Sequence, residues 1–194
     1  MDEKELIRQA AKGSEEAFAV LVKKYRTKMF NLAYSMIRNR ETADDIAQDV
    51  FIKAYIYISK FKYKSSFGTW LYRIAVNTVK DYLRKESRIN KISFDERLAS
   101  PDIPDIQEDG VVIKEEELEA KLRKKLLHRA IQALPEKHRT ILTLRDIQGI
   151  SYKEITGILN ISPGTVDSRL YRARRMLRKK VACLPSQKGG RHEM

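Results

Sequence analysis

The sequence predicts an all-α protein: two small helical domains joined by an acidic flexible linker. Apolar residues recur at spacings of three and four along most of the chain, which is the pattern of amphipathic helices. The run Tyr55–Ile58 is the only strand-like segment, and it continues a helical pattern. The charge also changes from basic to acidic and back to basic along the chain, which indicates two units and a tether.

The first helical block is predicted to cover residues 1–87. Its longest apolar stripe runs from Phe18 to Ile37, and Ser14 suits the start of that helix. A second helix is expected to begin near Thr42. A third passes through Leu71, and the β-branched and amide residues at 76–78 suggest that it breaks there and resumes.

The acidic segment is predicted to be a linker over residues 88–113. Ten acidic residues lie between Asp95 and Glu119, and prolines and a glycine interrupt the same stretch. Residues 183–194 are predicted to be a disordered tail.

The second block, residues 114–182, is predicted to contain a helix-turn-helix. Pro135 is expected at the first position of one helix, and Gly149 is placed to end it. Ser151 and Glu154 have the spacing of a capping box, and Asn160 tolerates the left-handed conformation of a tight turn. Ser162 then caps a new helix, so two helices are joined by a short turn.

The second helix of this motif separates into two faces. Val166, Leu170, Ala173 and Leu177 are predicted to face inward. The outer face and its flanks carry residue types that contact bases and phosphates: Gly164, Thr165, Asp167, Ser168, Arg169, Tyr171, Arg172, Arg174 and Arg175. The alternative is a basic amphipathic helix with a solvated outer face. For Asp167 three roles stay open: reading cytosine, orienting an arginine, or none.

The net charge of +13 points to a polyanionic partner, although a merely solubilising surface explains it equally well. With a single cysteine, Cys183, the chain cannot form an internal disulfide or a four-cysteine zinc site. The histidines His128, His138 and His192 lack ligand spacing and are predicted to lie on the surface. We therefore expect no metal, no cofactor and no small-molecule substrate.

No nucleophile–base pair or phosphate-binding glycine loop is present in the sequence, so no catalytic residue and no enzymatic activity are expected. The N-terminal segment is acidic rather than a signal peptide, and the chain has no apolar run of 18 residues. These features predict a cytoplasmic protein without membrane insertion.

Longer motifs carry a family resemblance. The first block contains ADDIAQDVFIKAY and SSFGTWLYRIAVNTVKDYLRK. The second contains IQALPEKHRTILTLRDIQGISYKEITGIL, followed by the second helix of the helix-turn-helix, here called the recognition helix. Over roughly residues 4–182 the chain resembles the extracytoplasmic-function sigma factors, close to the envelope-stress group. The resemblance implies a factor that binds core RNA polymerase, directs it to specific promoters and assists their melting, as part of a stress response. It also implies an anti-sigma factor partner.

The same resemblance implies a role for each block. The first would bind the polymerase clamp helices through Asp45, Gln48, Asp49 and Ile52, and the minus-10 element through Lys64, Trp70, Tyr72, Arg73, Asn77, Lys80 and Arg84. The second would bind the minus-35 element through the recognition helix. Trp70 could instead belong to the core, and Asn77 could be a helix cap. The alternative function is a helix-turn-helix regulator that is not a polymerase subunit.

Overall fold

The computed structural model describes residues 2–93 and 126–182, and every regular element in these ranges is helical. The all-α prediction is therefore confirmed. The elements are α1 (Glu3–Ala11), α2 (Glu15–Ile37), α3 (Arg40–Tyr57), a 3₁₀ turn (Ile58–Lys60), α4 (Phe67–Ser93), α5 (126–132), α6 (Glu136–Leu142), a π-helical segment (Thr143–Ile147), α7 (Tyr152–Leu159) and α8 (Pro163–Ala182).

Helices α1 to α4 form the first unit, around a core in which Met29, Leu32 and Met36 are fully buried. Local signals set the helix starts. The Ser14 hydroxyl oxygen accepts a hydrogen bond of 3.2 Å from the Ala17 amide, so α2 begins where the sequence predicts. Helix α3 begins at Arg40, slightly before the expected start, because the Asn39 side chain caps it.

Helix α4 is continuous, so the predicted break at residues 76–78 is wrong. Val76 and Val79 are buried against the bundle, and this packing offsets the low helix propensity of the segment. The Thr78 hydroxyl donates a hydrogen bond of 3.0 Å to the Ile74 carbonyl inside the helix. Asn77 therefore lies in the middle of α4 rather than at a helix end, so the helix-cap interpretation of this residue is also wrong.

The predicted linker and tail lie largely outside the described residues. Helix α4 continues to Ser93, into the range 88–113 in which the linker was expected. Residues 94–125 and 183–194 are not described.

The helix-turn-helix forms as predicted. The Glu154 amide donates to the Ser151 hydroxyl oxygen at 3.3 Å, and the Ser151 amide donates to the Glu154 carboxylate at 3.1 Å. Asn160 ends α7 in the left-handed region with φ 51°, and the Ser162 hydroxyl caps α8. Pro135 occupies the N-cap position of α6, which begins at Glu136, so the predicted first position is corrected by one residue.

His138 is buried, which corrects its predicted surface position. It lies on α6, and it is buried because α6 packs against α8. Burial lowers the pKa of its imidazole, and a hydrogen bond to the Arg169 backbone acts in the opposite direction. His128 is half-buried, and His192 lies outside the described residues.

Candidate DNA-binding and polymerase-binding surfaces

The outer face of α8 presents the side chains predicted for DNA contact. Val166, Leu170 and Ala173 are buried beneath the helix, as predicted, because α8 packs on α6 and α7. Opposite them the exposed residues are Gly164, Asp167, Ser168, Tyr171, Arg172 and Arg175, while Thr165 and Arg169 are half-buried on the flanks. Tyr171 exposes 66% of its surface, so its ring is accessible on the same face as the arginines.

Arg174 does not project toward this face. Its guanidinium donates hydrogen bonds of 3.1 Å and 2.6 Å to the two carboxylate oxygens of Asp146. This pairing raises the pKa of the Arg174 side chain and ties α8 to the π-helical segment. In the free protein Arg174 thus has an intramolecular partner, which sequence spacing could not show because Asp146 lies on another element; its phosphate contact stays a prediction.

The Asp167 side chain is exposed and makes no hydrogen bond or ion pair with any residue in the described ranges 2–93 and 126–182. Within those ranges, no arginine is held in place by this carboxylate. Of the three roles left open by the sequence, base reading and the absence of a role remain.

The predicted polymerase-binding residues form an exposed stripe along α3. Asp45, Gln48, Asp49 and Ile52 are all exposed, and Ile52 exposes 57% of its surface. The stripe continues into two apolar residues that sequence reasoning missed: Tyr55, exposed by 41%, and Ile56, exposed by 59%. The signal was available, because Ile56 lies four residues after Ile52 and shares its helix face.

Four of the predicted minus-10 residues share one face of α4. Arg73, Asn77, Lys80 and Arg84 are spaced by four, three and four residues, so they form a single stripe. Lys80 is half-buried and the other three are exposed. Lys64 is exposed in the segment before the helix, next to Tyr63, whose φ of 54° places an aromatic residue in the left-handed region.

Trp70 and Tyr72 are less accessible than the stripe. Trp70 is half-buried, with its ring centroid 5.3 Å from that of Phe61 and 5.4 Å from that of Phe67. This packing supports the core alternative for Trp70. Tyr72 is buried, its hydroxyl donates to the Gln148 side-chain oxygen at 3.4 Å, and burial raises its pKa to about 12. In this arrangement Tyr72 cannot contact DNA.

Other kinds of site find no support in the described part of the chain. Residues 2–93 and 126–182 contain no group of acidic, histidine or cysteine side chains arranged to hold a metal ion. No helix within the same ranges is long and apolar enough to cross a bilayer.

Comparison with known proteins accounts for both blocks. Residues 21–89 match the model of Sigma-70 region 2, and residues 124–177 match that of Sigma-70 region 4. The chain is 38% identical over 186 residues to the ECF RNA polymerase sigma-E factor of Escherichia coli strain K12, covering 91% of this chain and 92% of that protein. It is 37% identical over 182 residues to the ECF RNA polymerase sigma factor SigW of Bacillus subtilis, covering 92% and 96%.

A solved sigma-factor structure shares this fold. A sigma factor RpoE, solved in complex with the anti-sigma factor NepR from Bartonella quintana, superposes with a TM-score of 0.65 at 23% identity and covers 87% of this chain and 98% of that one. A regulator that used only a helix-turn-helix would leave residues 21–89 without a role, yet this range matches a sigma-factor region in its own right. The chain therefore belongs to the extracytoplasmic-function sigma factors, which bind core RNA polymerase and carry it to promoter DNA.

Proposed function

We propose that three separate surfaces of this sigma factor divide its work: α3 binds core polymerase, α4 and the segment before it bind the minus-10 element, and α8 reads the minus-35 element. The observation that carries the proposal is the separation of charge. On a chain with a net charge of +13, the exposed stripe of α3 is acidic and then apolar, whereas the outer stripes of α4 and α8 are basic.

The α3 stripe suits a protein partner rather than DNA. Asp45 and Asp49 would be repelled by phosphates, and Ile52 and Ile56 offer apolar area that only a packed protein surface would cover. A basic and apolar surface of core polymerase fits this pattern. Asp49 lies beyond the first turn of α3, so stabilisation of the helix dipole does not explain its presence.

The α4 stripe suits DNA that is being opened. Arg73, Lys80 and Arg84 are cations that can follow a phosphate backbone, while Asn77 between them offers an amide to a base edge. Unstacking a base step costs a few kcal/mol. The exposed aromatic ring of Tyr63, in the segment before α4, can offset part of this cost by stacking on an exposed base.

The α8 face suits reading of duplex DNA in the major groove. Arg172 and Arg175 carry guanidinium groups that pair with guanine edges, and Gly164 at the start of the helix permits close approach to the groove. A Cβ added at Gly164 would meet nothing within 4 Å, so the glycine leaves room that the protein itself does not fill.

The cellular role follows the same family. We propose that the protein acts in the cytoplasm without catalysing a reaction itself, that an anti-sigma factor holds it inactive, and that an envelope-type stress releases it. The sigma-E relatives and the RpoE–NepR complex support this part of the proposal.

The assignment of α3 is tested by charge reversal. Asp49→Arg should weaken binding to core polymerase by at least about tenfold, since a repelled charge in an interface costs more than 1.4 kcal/mol. Glu86→Arg, which makes the same charge change at an exposed position on α4, is the control and should bind normally. Equal binding by both variants in a pull-down with core polymerase would place the interface elsewhere.

A further inference from the structure

A polar cluster beside α8 joins three elements of the second domain. The Arg174 guanidinium on α8 donates from Nε to one carboxylate oxygen of Asp146 at 3.1 Å and from Nη2 to the other at 2.6 Å. Asp146 belongs to the π-helical segment, and the Tyr152 side chain at the start of α7 lies beside the same guanidinium. Polar side chains, as well as apolar packing, therefore tie α8 to the π-helical segment and to α7.

The backbone that carries Asp146 is itself held in place. The Gln148 amide donates to the carbonyl five residues earlier at 2.9 Å, which is the bond of a π turn. Arg145 donates to the Ile150 carbonyl at 3.0 Å, and its guanidinium lies 4.9 Å from the Tyr152 ring centroid. π turns are rare and are frequently found at functional sites. A carboxylate on a backbone fixed in this way can in turn fix the direction of its partner.

The pairing uses only part of the Arg174 guanidinium. Arginine has five N–H donors in a rigid planar fork. The bonds to Asp146 come from Nε and Nη2, so that carboxylate does not engage the two N–H groups of Nη1. The Arg174 side chain is 40% exposed, so the guanidinium is accessible to a ligand. The arginine is therefore oriented by one anion and still able to bind another.

The flank of α8 that carries Arg174 adjoins the surface proposed to face DNA. Asp167, Tyr171, Arg174 and Arg178 are spaced by four, three and four residues, so they share one side of the helix. The other three of these residues are all exposed. A recognition helix in the major groove lies between two phosphate backbones, so a cation on its flank is placed to meet a phosphate rather than a base.

We infer that Asp146 is a positioning residue for minus-35 binding: it holds the Arg174 guanidinium so that the remaining donors of this arginine meet a DNA phosphate beside the groove. This role rests on the assignment of α8 to the minus-35 element proposed above. Asp146 itself does not contact DNA and acts only through Arg174. Fixing a long side chain before binding reduces the conformational entropy that is lost on contact.

Positioning and simple electrostatics predict opposite effects of removing the Asp146 charge. A carboxylate near DNA is repelled by phosphates, so Asp146→Asn would tighten promoter binding if charge alone mattered. If Asp146 orients Arg174, the same variant should weaken binding, although it removes a negative charge and keeps the size of the side chain. In an Arg174→Ala background the carboxylate has no arginine to orient, so Asp146→Asn should cause no further loss.

The affinity of holoenzyme for a promoter duplex, measured over a series of salt concentrations, tests this role. Arg174→Ala should flatten the log–log salt slope by about 0.9, because one phosphate contact is lost. Asp146→Asn should weaken binding by about three- to eightfold at 0.1 M salt and move the slope toward that of Arg174→Ala. The double variant should bind no more weakly than Arg174→Ala, since two changes acting through one contact do not add. Glu15→Gln, which removes an exposed carboxylate on α2, is the control and should bind like the wild type.

A second variant tests the pair from the other partner. Arg174→Lys keeps the charge but cannot form the two parallel bonds to Asp146, so it should also weaken binding, and full affinity of this variant would overturn the role. Unchanged or tighter binding of Asp146→Asn, or a further loss in the double variant, would overturn it as well. So would weaker binding of Asp146→Asn with an unchanged salt slope, since that result indicates a merely structural residue. Arg172→Ala separates the proposed function from this role: if it leaves the minus-35 preference of the holoenzyme intact, the assignment of α8 fails whatever Asp146 does.

Discussion

Asp167 offers the sharpest test of how α8 reads DNA. A lone carboxylate on a DNA-facing helix is disfavoured by phosphates, and within the described ranges no side chain compensates for it. If it accepts a hydrogen bond from a cytosine amino group, Asp167→Ala should lower the preference for that base by roughly 1–3 kcal/mol. That corresponds to roughly 5–150-fold, at a single base pair of the minus-35 element.

Repulsion between Asp167 and the DNA phosphates would have the opposite effect on binding affinity, and a smaller one. A carboxylate about 6 Å from a phosphate is repelled by about 0.7 kcal/mol in a water-like dielectric, and salt reduces this further. Removing the charge should therefore tighten binding to unrelated DNA by no more than about threefold. The two effects are separable because one depends on the base and the other does not.

A conservative replacement sharpens the assay. Asp167→Asn keeps the shape of the side chain. A carboxylate only accepts, as from the cytosine amino group, whereas an amide both donates and accepts and so pairs with adenine. The preferred base should therefore change from cytosine to adenine. Holoenzyme affinities for promoters carrying each base at each minus-35 position would report this. Uniformly tighter binding of both variants to every promoter would refute base reading and leave Asp167 as a tolerated, repelled charge.

Three further predictions concern the helices themselves. Asn77→Ala should reduce promoter opening, measured by permanganate reactivity of thymines, more than it reduces closed-complex binding. Because Asn77 lies in the middle of α4, where alanine is the better helix former, the melting temperature of the variant protein should not fall. An equal loss of both complexes would contradict a role in opening. Ser151→Ala removes a capping box and should destabilise the second domain by about 1 kcal/mol in urea titrations. Ser59→Ala, at an exposed position, is the control and should unfold like the wild type. Equal urea midpoints for the two variants would show that the cap contributes nothing. Because burial lowers the pKa of His138 below 6.5, the imidazole is protonated at a higher pH in the unfolded chain than in the folded protein. The free energy of unfolding should therefore fall as the pH drops from 6.5 through the folded pKa, and it should fall less in His138→Gln. Parallel losses of stability in the two proteins would contradict this.

Local chemistry explains what could be predicted from the sequence. The capping box at Ser151 and Glu154, the left-handed Asn160 and the cap at Ser162 each depend on residues within a few positions of one another, and all three form. The inward face of α8 follows from helical periodicity in the same way.

What could not be predicted depends on partners far along the chain. The β-branched segment around Val76 stays helical because of packing, His138 is buried because α8 lies against α6, and Arg174 pairs with Asp146 on another element. Tyr72 has the residue type and position of a DNA contact, yet the second domain covers it. No spacing rule within one helix carries this information.

Run-off transcription with purified core polymerase and a library of promoter sequences tests whether this chain works as a sigma factor. Transcripts should appear only when the chain is added, and they should start at promoters that share two separated elements. Variants of α8 should alter the upstream preference, and variants of α4 should alter the opening step. Tight binding of promoter duplex by the chain alone, with no transcript on addition of core polymerase, would contradict a sigma-factor function.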